Sequence, residues 1–181
     1  MRFRASILGV IGVLWLLLSY PGQAQDPQPT EYQFKAALLF NFAKFVEWPS
    51  GAFPDPRSPI VFGILGENPF HDDLIRTLQD KTINNRSLVV REFNSVTEAT
   101  NCQVLFISVS EKRRLPEILQ TLRSSSALTV SELDRFIESG GMIYLFAENK
   151  KIHFQVSPDA AKSAGLKVSS KLLGLSTRPG R

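Results

Sequence analysis

Cysteine is almost absent from this chain: its 181 residues include one, Cys102. An intrachain disulfide is therefore excluded, and packing must hold the fold together. Histidine is nearly as scarce, with only His71 and His153, so a zinc site built from Cys and His at ligand spacing lacks its material. His71 stands beside Asp72 and Asp73, but acids at that point suit the first turns of a helix. His153 alternates with Ile152 and Phe154 and reads as a packed or surface residue of a strand.

Catalytic patterns are missing too. Ser108 and Ser110 follow an apolar run without the Gly-x-Ser-x-Gly elbow of a hydrolase. Gly63 and Gly66 lack the third glycine of a dinucleotide fingerprint. Cys102 has no sequence neighbour that would lower its pKa, so it reads as an inert thiol. Cation runs do not exceed Lys112-Arg113-Arg114, which argues against nucleic acid as a partner. The expectation is a protein that is not an enzyme, with no catalytic residue, cofactor or metal.

What the chain has in quantity is phenylalanine, 13 residues, four of them in the stretch Phe34 to Pro49, FKAALLFNFAKFVEWP. The residues before it carry an address. Arg2 and Arg4, the apolar run Ile7 to Leu18, and Pro21-Gly22-Gln23-Ala24 follow the basic, apolar, small-residue order of a secretory signal peptide. Residues 1–24 are read as that signal and 25–30 as a flexible polar leader. An uncleaved anchor is the competing reading, but the apolar run is short for a hydrocarbon core about 30 Å thick. Loss of two arginines and no acid lowers the formal charge from +4 to +2.

Thr30 and Gln33 have capping-box spacing and predict a helix running to Trp48, where Pro49 stops it. On that helix Phe34, Leu38, Phe42 and Phe45 line one side, with Trp48 at its end. Leu39, Ala43 and Val46 fill in beside them, an apolar arc wider than a single buried face needs. Lys35, Lys44 and Glu47 exclude a membrane span, since a lysine at its centre costs roughly 2.5–3.5 kcal/mol. Phe34, Leu38, Phe42, Phe45 and Trp48 are therefore candidate contacts to a partner or a second copy.

Beyond a Pro-rich loop the pattern alternates between apolar strands and capped helices. Ile60 to Leu65, Leu88 to Phe93, Val104 to Ile107 and Ala127 to Val130 read as strands. Helices are predicted from Pro69 behind an Asn68 cap, over Pro116 to Arg123, from Ser131 to Gly140, and over Pro158 to Ala164. Met142 to Ala147 and Ile152 to Val156 are too close together for a crossover and predict a hairpin. The expected fold is α/β, a three-layer sandwich with a mostly parallel sheet and an antiparallel edge hairpin, in one domain over residues 31–177 with a tail at 178–181. Ligands of such sheets settle at the carboxyl ends of the strands. Glu67, Asn68, Ser108, Ser110, Ser131 and Glu132 form that candidate crevice, although Asn68 and Ser131 also read as helix caps.

Several segments in order resemble the YfiR-like family of exported bacterial proteins. They include Lys35-Ala36-Ala37 through Val46-Glu47-Trp48-Pro49, Ile64-Leu65-Gly66 with Pro69-Phe70, and Val104 to Ser108. The C-terminal half adds Leu128 to Ser131, Phe136 with Gly140-Gly141-Met142-Ile143, Ala164-Gly165-Leu166 and Ser169 to Leu173. The resemblance implies a periplasmic, homodimeric regulator that binds an inner-membrane sensor protein, the family's case being a diguanylate cyclase whose cyclic-di-GMP output it represses. This chain departs from the family at Val156-Ser157, where an Ile-Asn pair is common. Its lone Cys102 also cannot form the intrachain disulfide on which the namesake's redox sensing depends. A periplasmic small-solute binding protein using the strand-end crevice is the alternative.

Overall fold

The computed structural model describes residues 29–180. The expected signal peptide and most of the expected leader lie outside the described residues, as does Arg181. No helix among the described residues is long and apolar enough to cross a membrane.

Helix α1 spans Glu31–Lys44 and opens on the capping box read from the sequence. The Gln33 amide donates to Thr30 Oγ1 at 3.2 Å and the Thr30 amide to Gln33 Oε1 at 3.0 Å. The helix stops at Lys44 and does not reach Trp48. Val46–Glu47 is instead a short strand, β1, whose partner comes from the far end of the chain: Val46 faces Val168 and Glu47 faces Lys167. Valine is stiff at χ1 and favours such extended pairing, and here its side chain is buried.

Strand β2 (Ile60–Leu65) leads to α2 (Asp73–Leu78). This helix begins later than predicted, because Asn68 closes a turn and does not cap it. Asn68 Oδ1 accepts the Phe70 amide at 2.9 Å, and the turn drives Phe70 into the core edge-on to Tyr32 and Phe106. A hairpin follows, β3 (Thr82–Ile83) and β4 (Arg86–Phe93). Its connection, Asn84-Asn85, takes positive φ at both residues, as two-residue hairpin turns require. Then come β5 (Val104–Ile107), α3 (Leu115–Thr121) and β6 (Leu128–Ser131).

No helix forms between Ser131 and Gly140. Ser131 ends β6, and Arg135 adopts φ +58°, which breaks any helical run. The turns place the Phe136 ring against Gly141, where a Cβ would lie 2.3 Å from the ring. The chain closes with β7 (Ile143–Glu148), β8 (Lys151–Val156), α4 (Pro158–Ser163), β9 (Lys167–Val168) and α5 (Ser170–Leu175).

Seven strands form a mixed sheet in the order β3-β4-β2-β5-β6-β7-β8. The pairs β4/β2, β2/β5, β5/β6 and β6/β7 are parallel, while β3/β4 and the expected β7/β8 hairpin are antiparallel. Strands β1 and β9 make a separate two-stranded ribbon.

Alternation along the strands sends neighbours to opposite faces. Val104 and Phe106 join a cluster with Phe62, Ile64 and residues of α1, α2, α4 and α5. Leu105 and Ile107 join a second cluster with Leu65, Phe136 and residues of α3. Both faces of β5 are thus buried, which explains why its sequence is apolar without a break.

Candidate functional site

The sheet reverses its winding direction next to β2, since the chain crosses to β4 on one side and returns to β5 on the other. A ligand crevice belongs at the carboxyl ends of those two strands, and there the structure packs the turns after β2 and β5 closely against each other at Gly66. Gly66 has φ +89°, and a Cβ on it would meet Ser110 Oγ at 2.4 Å and Glu111 Cγ at 2.8 Å. The Glu67 amide donates to Ser110 Oγ at 3.0 Å. Ser108 is buried, and its Oγ accepts the Ser110 amide. Asn68 gives its side-chain N–H to Glu92 Oε1 at 2.7 Å. Ser131 is fully buried and donates to Ile107 O at 2.7 Å.

Glu132 is taken up differently. Its carboxylate pairs with the ammonium of Lys35, whose side chain is 5% exposed. It also accepts from the Tyr32 hydroxyl at 3.3 Å. Lys35 reaches Glu31 on its own helix as well and lies 4.5 Å from the centre of the Tyr32 ring. Burial alone would push the lysine's pKa down, but the carboxylates of Glu132 and Glu31 outweigh it and hold the pKa above its ordinary value. Burial, followed by the charge of Glu132, raises the Tyr32 phenol. Five of the six crevice residues thus use their side chains in the protein's own bonds, while Glu67 contributes its backbone amide and leaves its carboxylate exposed. A groove of about 680 Å³ lies elsewhere, beside the β7–β8 hairpin.

The apolar candidates also separate. Phe42 belongs to the core at 1% exposure, with its ring edge-on to Phe154 at 5.0 Å; it is not a surface contact. Leu38, Phe45 and Trp48 are half-buried against the same cluster. Trp48 donates its indole N–H to Gln103 O at 3.2 Å. Only Phe34 of the five stands out into solvent, at 43%. The wide arc on α1 is therefore mostly core, and Cys102 is core as well, its thiol pushed up to about 12 by burial.

Two residues escaped the sequence reading. Lys35 carried a signal, since a lysine set between Phe34 and Ala36-Ala37 needs a partner. Gln103 carried none. Buried at the start of β5, it accepts the Val61 amide at 2.9 Å and donates to Ala52 O at 2.8 Å, tying the loop after β1 to the sheet. Gln103→Leu keeps the volume but strands both backbone groups, each at about 1–3 kcal/mol. Urea unfolding should show a loss of about 2–6 kcal/mol; a loss well under 1 kcal/mol would contradict this role.

These features define a class: a mixed α/β fold with most of its strand-end side chains bonded within the fold. Comparison with known proteins narrows it. The model of the YfiR/HmsC-like family matches residues 32–177, and the chain belongs to that family. A crystal structure of a conserved domain protein from Vibrio cholerae is similar in fold, with a TM-score of 0.56 at 10% identity. The match covers 82% of this chain and 60% of that one, so this chain spans less than two thirds of that protein's length.

Proposed function

We propose that this protein is an exported periplasmic regulator that binds an inner-membrane sensor protein, a diguanylate cyclase, and restrains cyclic-di-GMP synthesis. The observation that carries this reading is the family match across residues 32–177. The bonds that Asn68, Ser108, Ser110, Ser131 and Glu132 make within the fold favour it over a solute binder at the strand ends. On this reading the signal at 1–24 is cleaved, the mature protein acts as a homodimer, and no catalytic group or cofactor takes part. The apolar clusters on the two faces of the sheet support the three-layer sandwich expected from the sequence. Repression follows from differential affinity: the regulator binds the inactive arrangement of the sensor more tightly and shifts its population. A shift from 1:99 to 99:1 needs roughly a 10⁴-fold preference.

Deleting the gene should raise cellular cyclic-di-GMP several-fold, and a copy exported to the periplasm should reverse the rise. A copy expressed without residues 1–24 should not. Unchanged cyclic-di-GMP on deletion would remove the reading.

A further inference from the structure

One apolar region is left open beside the core. Ala147 and Ile152 face each other across the β7–β8 hairpin, on the face that carries Leu145 and Phe154 inward two residues further along. Yet Ala147 is exposed and Ile152 only half-buried, and the ring of Phe34 projects beside them. Together with Pro29, Lys150 and Lys151 they line a groove of about 680 Å³. Glu31 is the one acidic residue on its wall, and it is engaged by Lys35.

The groove adjoins the outer edge of β8, the last strand of the sheet. The tail after α5 covers part of that edge. Thr177 donates its amide to Phe154 O at 2.8 Å, and the Val156 amide donates to Ser176 Oγ at 2.9 Å. In an antiparallel ladder both backbone groups of a residue point the same way and the direction alternates, so Ile152 turns its N–H and C=O outward too. No backbone bond reaches them among the described residues. The tail makes its next bond from the Gly180 amide to Glu148 Oε1 at 3.1 Å, and Pro179 has no N–H to offer.

We propose that the β8 edge at Ile152 and the adjoining groove dock an extended acidic segment of a partner protein. The segment adds to the sheet as a further strand, with an apolar side chain set against Phe34 and Ile152. Backbone pairing supplies affinity in this mode and the groove supplies choice. Lys150 and Lys151 select for acidic neighbours; a second copy's β8 would bring its own pair of lysines to the same place. The identity of the partner rests on the regulator reading, whereas the docking geometry does not.

Two measurements separate them. The first uses a labelled peptide of alternating glutamate and valine, followed by fluorescence anisotropy on the purified protein. Ile152→Pro removes the outward N–H and leaves the β7 ladder intact, so it should weaken binding at least five-fold with an unchanged melting temperature. Lys150→Glu with Lys151→Glu should do the same, and Leu175→Glu, on another exposed apolar residue, should not. No binding by the parent protein, or equal binding by all variants, overturns the docking site. The second is cyclic-di-GMP in cells carrying each variant. If deletion raises it and Ile152→Pro still represses fully, the regulator reading stands and the docking site falls. If Ile152→Pro instead turns a dimer into a monomer, the occupant is a second copy and the proposal is wrong. If deletion changes nothing while the peptide still binds at Ile152, the regulator reading falls alone.

Discussion

Replacing Lys35 by alanine is expected to destabilise the protein by about 3–5 kcal/mol, the usual cost of leaving one partner of a buried ion pair behind. For a chain of this size that is a fall in melting temperature on the order of 10 °C. Glu132, only 14% exposed, would keep a charge whose remaining neighbour is the Tyr32 hydroxyl. Glu31 is 55% exposed and can return to water, so the penalty sits on Glu132. The pair itself need not be stabilising, because apolar replacements of a buried pair are often neutral or better. Lys35→Met combined with Glu132→Leu should therefore recover most of what Lys35→Ala loses. Equal destabilisation by the single and double variants would show that packing of the lysine stem, and not the charge, is what matters.

Alkali offers a second test of the same pair. The folded-state pKa of Lys35 lies above its ordinary value of 10.5, so the folded state holds the proton more tightly than the unfolded one. The contribution is complete below that value and is lost as pH rises through the higher folded value. Lys35→Met should flatten the decline of stability above pH 10.5.

Lys35 also shows where the sequence is legible and where it is not. Local chemistry was readable: the Thr30 and Gln33 box, the buried runs of β2 and β5, and the four-residue spacing that demanded the β7–β8 hairpin. Each depends on residues close together in the chain. The failures are of two kinds, long-range pairings and local turns. The first helix ends at Lys44 because Val46 pairs with Val168, and nothing near Val46 announces a partner at the other end of the chain. The segment after Ser131 has a helix's capping residue, but burial of Phe136 against Gly141 and the left-handed Arg135 override it. At the strand ends five of the six side chains named from the sequence bond within the fold. A serine or carboxylate looks the same in sequence whether it awaits a ligand or bonds to its own fold.

Phe42 and Phe34 share an apolar helix and should respond in opposite ways to the same change. Phe42→Asp puts a carboxylate into an apolar site with 1% exposure, packed on Phe154. Truncation of a buried phenylalanine alone costs about 3–5 kcal/mol, and the unpaired charge adds several more. Together these approach or exceed the 5–15 kcal/mol that holds a typical domain, so little or no folded protein should be recovered. Phe42→Ala, confined to the cavity cost, should fold with a lowered melting temperature. Phe34→Asp should leave the melting temperature within a few degrees, because the ring is already 43% in solvent, while peptide binding at the adjoining groove falls. Trp48 fluorescence, read from the end of the same segment, would report the unfolding of the first variant and the integrity of the last. A folded Phe42→Asp protein would mean that α1 does not present this side to the sheet. That would undo the division of the helix into a core side and an open one.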